Sequence, residues 1–135
     1  MKKFTLACVA LLASAAAVAE NLDGVDKMIC SAGQAQICLE TADCYSATPW
    51  ELSIPDFVVI DVKKKTISTT KASGLNRSTQ FSKVGREDGL IYLQGVDRGR
   101  AFSFVIDVVT GRLTAAIARD GLSVTVFGAC TDVDI

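Results

Sequence analysis

The chain has 135 residues, half of them hydrophobic, with 14 lysines and arginines against 15 aspartates and glutamates and no histidine. Length alone points to one domain. The missing histidine removes every catalytic triad or dyad built on imidazole and the common histidine metal sites, and the charge balance speaks against a nucleic-acid partner, which needs a basic face.

The first element in chain order is an export signal. Lys2 and Lys3 precede the apolar run Phe4 to Ala13, and Ala17-Val18-Ala19 supplies the small-x-small pattern that a signal peptidase reads. Residues 1–19 are therefore predicted to be a cleaved signal peptide of bacterial type, with the cut after Ala19. Only four residues, Phe4 to Ala7, separate Cys8 from the lysines, too few to mark a lipid-modified cysteine. Removing residues 1–19 takes away two lysines and no acids, so the remaining domain, 20–135, carries 12 basic and 15 acidic residues. Its expected address is the periplasm or the secreted fluid. No later stretch is long and apolar enough for a transmembrane helix. An outer-membrane barrel is disfavoured by short strands and by an ending, Asp132-Val133-Asp134-Ile135, without an aromatic belt.

Four cysteines remain in the domain, and an even number in a small exported chain reads as disulfides. Their spacing gives neither a Cys-x-x-Cys redox motif nor a zinc site, and no cofactor is expected. Asn21 to Lys27 reads as a polar lead-in. Residues 28–40 fit either a strand or a short helix. Ala47 to Pro55 holds both prolines and the single tryptophan, Trp50, and reads as a connecting loop.

From Asp56 onward the pattern is that of a strand meander. Phe57 to Val62 is a β-branched run, Lys63-Lys64-Lys65 a charged hairpin tip, and Thr66 to Thr70 its partner strand. Turn signals follow at Ser73-Gly74, Asp88-Gly89, Asp97-Arg98-Gly99, Thr110-Gly111 and Asp120-Gly121, about every ten to twelve residues. Between them Phe102, Phe104, Ile106 and Val108 share one face. Leu113, Ala115 and Ile117 share one face of the next strand, and Leu122, Val124 and Val126 one face of the last. The fold class is therefore mainly β: a small antiparallel up-and-down meander of about seven or eight strands. A sheet of that size with one apolar face has to curl or double over. Uniformly short connections favour a closed or nearly closed barrel over the alternative, a two-sheet sandwich.

Closure would bring the first and last strands together as antiparallel neighbours. The preferred pairing is then Cys30–Cys130 across the seam with Cys38–Cys44 as a local staple; Cys38–Cys130 with Cys30–Cys44 is the rival.

Several segments resemble a family of small exported proteobacterial proteins of unknown function. They are Cys30, Cys38 and Cys44 at their spacing, Ile54-Pro55-Asp56-Phe57, Leu93-Gln94-Gly95, Gly99-Arg100-Ala101, and the terminal Phe127-Gly128-Ala129-Cys130. The resemblance covers most of the mature chain and implies an envelope address without an activity. A looser architectural likeness links the chain to exported β-barrel lysozyme inhibitors, although no segment here matches their inhibitory loop.

The candidate functional residues are correspondingly few. Trp50, Phe57, Tyr92, Phe102, Phe104 and Phe127 are candidates to line an interior cavity, since a small barrel either fills with side chains or holds one small ligand. Arg77, Arg86, Arg98 and Arg100 lie near turns, where they suit a protein or anionic partner. Asp61 and Asp107 are the only candidates for a carboxylate pair, and their plainer role is to accept turn hydrogen bonds. The expected function is a non-catalytic binding module of the bacterial envelope acting on an envelope or extracellular protein. A lipocalin-like carrier of a small apolar ligand is the alternative, and a carboxylate-based glycan hydrolase the least supported reading.

Overall fold

The structure is a computed structural model that describes residues 21–133. The predicted signal peptide, with Cys8 and Ala19, lies outside the described residues, as do the last two residues. Ten strands form one continuous antiparallel sheet: β1 Lys27–Leu39, β2 Tyr45–Ala47, β3 Phe57–Asp61, β4 Thr66–Thr69, β5 Ser78–Gln80, β6 Lys83–Glu87, β7 Leu90–Asp97, β8 Arg100–Asp107, β9 Arg112–Arg119 and β10 Leu122–Asp132. Nine of them follow the order β5-β4-β3-β1-β10-β9-β8-β7-β6, and β2 pairs separately with β1. The sheet curls into a half-barrel. The strand count exceeds the predicted seven or eight because β2 and β5 are three-residue strands in segments whose patterns are too short to read. A single sheet excludes the sandwich.

The two strands at the ends of this order, β5 and β6, are consecutive in sequence, with only Phe81 and Ser82 between them. Phe81 N donates to Lys65 O at 2.7 Å on one side, and Ser82 N donates to Gln94 O at 2.9 Å on the other. The chain itself thus bridges the open edges, which limits the unpaired backbone a sheet edge exposes.

β1 resolves the strand-or-helix ambiguity in favour of a strand. Met28 and Cys30 face inward, and then the register shifts between Ala32 and Gln34, so that Ala35 and Ile37 face inward instead. A β-bulge moves the inward phase by one residue. The first half of β1 pairs with β3 and the second half with β2, while its other edge pairs with β10 throughout. Cys30 lies directly opposite Cys130 in that register. The Cys30–Cys130 and Cys38–Cys44 disulfides both form, 100 and 6 residues apart in sequence. The seam is so tight at Gly128 that a Cβ there would collide with the Ser31 carbonyl oxygen, so the position admits only glycine.

The hairpins have the predicted turn chemistry. Asp88-Gly89 and Arg98-Gly99 each place both residues at positive φ, between 49° and 76°, the geometry that matches the twist of two-residue hairpins. Lys63, Lys64 and Lys65 are an exposed hairpin tip.

One end of the half-barrel is filled. Met28, Ile60, Ile91 and Ile106 are fully buried there, with Val62 and Val108 nearly so. Leu22 closes this end from the lead-in and is itself fully buried. Its N–H donates to Val108 O at 2.7 Å, and Val62 N donates to Asp26 O at 2.7 Å. Arg86 donates to the Val25 carbonyl and sits 3.8 Å from the Asp26 carboxylate. The lead-in is therefore a plug across the barrel end rather than a loose segment. One leucine in a polar run carries no periodicity to announce it.

Candidate functional site

The opposite end holds a cavity of about 220 Å³. Its floor begins with Phe102 and Phe104, and the buried Phe81, outside the cavity lining, packs against both. Phe81, Phe102 and Phe104 meet with centroids 5.5, 5.8 and 5.7 Å apart at steep angles, the edge-to-face range that aromatic pairs prefer. Phe102 takes its position from Gly95 across the strand pair, where a Cβ would stand 2.5 Å from the ring. Leu113, Ala115, Ile117 and Val126 extend the floor, with Val58 and Ile67 on the facing wall.

A strap over residues 48–55 forms part of the mouth. It contains a short 3-10 turn, Pro49–Leu52, with Pro49 buried. The Glu51 carboxylate accepts a hydrogen bond from Thr48 N at 2.8 Å, and hydrogen bonds from Thr48, backbone first, hold the Glu51 carboxyl below its usual pKa. Ser53 ends the turn in the left-handed region at φ 58°. Leu52, Ile54 and Pro55 then face the cavity.

The rest of the rim is polar. Arg77 Nη1 donates to Ser53 O at 3.0 Å, joining the strap to the β4–β5 connection. Thr69 Oγ1 accepts from Arg77 N at 3.1 Å and donates to Leu75 O at 2.9 Å. Thr79 Oγ1 donates to Asp97 Oδ2 at 3.2 Å, linking β5 to β7. Arg100, opposite Asp97 in the β7–β8 hairpin, also lines the cavity.

Outside the strap lies a shallow groove of about 530 Å³ that shares Ser53, Ile54, Pro55 and Arg77 with the cavity. Trp50, Phe57 and Leu75 line it and are 68%, 52% and 47% exposed.

The six aromatic candidates therefore divide. Phe102 and Phe104 line the cavity. Trp50 and Phe57 face the outer groove, Phe127 is exposed on β10, and Tyr92 is half-buried on the face of β7 opposite Ile91 and Leu93. For these four the interior assignment is corrected: each follows its strand's alternation or its loop, and aromatic character alone does not place a residue inside. Sequence reasoning missed Phe81, a single aromatic at a corner between two short strands, and Arg100 as a cavity residue. Asp61 and Asp107 each serve a turn. Asp61 Oδ1 accepts from Lys64 N at 2.9 Å, and Asp107 Oδ1 accepts from Val109 N and Thr110 N at 2.9 and 3.0 Å. The Thr110 and Val109 amides hold the Asp107 carboxyl below its ordinary pKa. Among the described residues no three His, Cys, Asp or Glu side chains converge as metal ligands, and no helix is long and apolar enough to cross a membrane. Disulfides such as these two belong to an oxidising, non-cytoplasmic environment.

Comparison with protein-family models, curated proteins and solved structures finds no match to this chain.

Proposed function

We propose that this chain is an exported, non-catalytic binding module that carries a small, largely apolar molecule in the cavity at the open end of its half-barrel. The observation that carries the reading is the pairing of an aromatic and aliphatic floor with a polar rim around about 220 Å³. Binding sites are typically concave and mostly apolar, with a few placed polar groups. The address in this reading is the periplasm or the secreted fluid, reached after cleavage near Ala19.

Native mass spectrometry of the protein recovered from an envelope or culture extract tests it. The reading expects a small-molecule mass that rides with the folded chain and leaves on unfolding. A bare chain that also takes up no apolar probe at millimolar concentration would contradict it.

A second reading is docking of an envelope or extracellular protein against the outer groove. Its support is the exposure of Trp50, Phe57 and Leu75 together at one place, since contiguous exposed apolar surface marks interaction sites. Trp50→Ala and Phe57→Ser would abolish such docking and leave small-molecule uptake intact. Hydrolysis by Asp61 and Asp107 is the least supported reading, because both carboxylates are engaged by their own turns.

A further inference from the structure

The rim of the cavity has an uneven charge. Arg77 and Arg100 line it with a single carboxylate, Asp97. Asp97 already accepts from Thr79, and no ion pair among the described residues engages either arginine. Arg77 commits one N–H to Ser53 O, while a guanidinium offers five donors. The rim thus holds a net charge of +1 beside donors able to grip an anion, directly above an apolar floor.

The floor sets the size of the uncharged part. An apolar cavity of about 150 Å³ takes benzene. Scaled to about 220 Å³, the space suits a body of about nine non-hydrogen atoms. Guanidinium groups match carboxylates through paired, parallel hydrogen bonds. One surplus positive charge suits one negative charge and offers a dianion no second partner.

We infer that the cavity takes a monocarboxylate amphiphile of medium size, an aliphatic or aryl acid, with its chain or ring on Phe102, Ala115 and Ile117 and its carboxylate on Arg100 and Arg77. This inference rests on the carrier reading above and adds the chemical class of the ligand.

Isothermal titration of the disulfide-intact protein with octanoate and with 1-octanol tests it. The two probes share a tail and differ in head-group charge. Octanoate is expected to bind more tightly, and salt is expected to weaken octanoate but not 1-octanol. Arg100→Gln is expected to lower octanoate affinity about tenfold, the loss that removing a charged hydrogen bond produces. Arg98→Gln, two residues earlier and outside the cavity, is expected to keep the octanoate preference; thermal unfolding of both variants verifies that they fold. Equal binding of the two probes, unaffected by Arg100→Gln or salt, would overturn the carboxylate assignment and leave the carrier reading standing. Failure of the unmodified protein to bind either probe would overturn both.

Discussion

At one end of the half-barrel Leu22, Met28, Ile60, Ile91 and Ile106 are packed until none is exposed. At the other, residues on the same inward faces enclose a cavity. β1, β3 and β8 contribute to both ends, and the difference lies largely in side-chain size. The filled end draws a large aliphatic residue from each of several strands and adds a leucine from outside the sheet. The open end draws Ala115, Thr69 and Thr79, leaving a gap that Phe102 and Phe104 border but do not fill. Interiors pack to near-crystalline density, so a void bounded by small residues on several neighbouring strands is a property of the sequence at those positions. The strap and the two rim arginines stand at the open end; the plug stands at the filled one.

The largest expected effect concerns what holds the two ends in one sheet. Replacing Cys30 and Cys130 together by alanine removes a link that closes 100 residues and is expected to cost about 4–5 kcal/mol in the loop-entropy model. Domains of this size are stable by only about 5–15 kcal/mol, so the loss is a large share of the total. The same change at Cys38 and Cys44 opens a link between residues only 6 apart and should cost about 2 kcal/mol. Urea unfolding without reductant measures both, and equal losses would break the picture of a single dominant seam.

Next in size is the plug. Leu22→Ala is expected to cost about 2–5 kcal/mol, the range for a leucine deleted from a packed core. Ile117→Ala, at a half-buried floor residue of the cavity, should cost less, because it enlarges a space that already exists. Equal losses would mean that the two ends are packed alike.

Enlarging residues sharpens the contrast further. Overpacking a filled core costs about 1–3 kcal/mol. Val108→Phe, at a buried position of the filled end, is expected to show that loss. Ala115→Leu points into the cavity and should change stability little while blocking uptake of an apolar probe. A large loss at position 115 would show that the space is not available.

The smallest effect separates the two ends by pH. Asp107 ties the β8–β9 turn at the filled end, and Glu51 ties the strap at the open end. Both carboxyls are held below their ordinary pKa by hydrogen bonds from backbone amides. A depressed folded-state pKa adds stability that is complete above the unfolded carboxylate range, near pH 4, and is lost as pH falls through the lower folded value. Asp107→Asn should therefore flatten the acid limb of the stability curve. Glu51→Gln should flatten it less, because Glu51 secures a single turn of the strap. Thermal midpoints between pH 2 and 6 measure this, and an unchanged acid limb in Asp107→Asn would remove the turn from the account.

Much of the fold is legible in the sequence, for identifiable reasons. The strands from β6 onward are separated by Asp-Gly, Arg-Gly and Thr-Gly pairs and those from β8 onward alternate cleanly, so their order and inward faces follow from local rules. Closure favours the Cys30–Cys130 pairing, because a curled meander returns the end of its last strand to the start of its first, but the spacing also admits Cys38–Cys130, and the register of β1 on β10 decides between them. β1 stays ambiguous because the shift at Gly33 reverses the alternation midway, and a reversed phase looks like no phase at all. β2 and β5 have three residues each, too few to show a period. Of the site, the contribution of Phe102 and Phe104 is legible from alternation. The same alternation places Phe127 opposite Val124 and Val126, and Tyr92 opposite Ile91 and Leu93, which outweighs their aromatic character. The cavity itself is not legible, because it depends on Ala115, Thr69 and Thr79 lining one space while two of them lie far from the third in sequence.

The most direct test of a half-barrel filled at one end and receptive at the other is a methyl-labelled NMR titration with 1-octanol. The account predicts shifts at the methyls of Val58, Ile67, Leu113, Ile117 and Val126, with Leu22, Ile91, Ile106 and Val108 unmoved. Shifts confined to the exposed Leu75 and Val109 methyls, or no shifts at saturating probe, would contradict it.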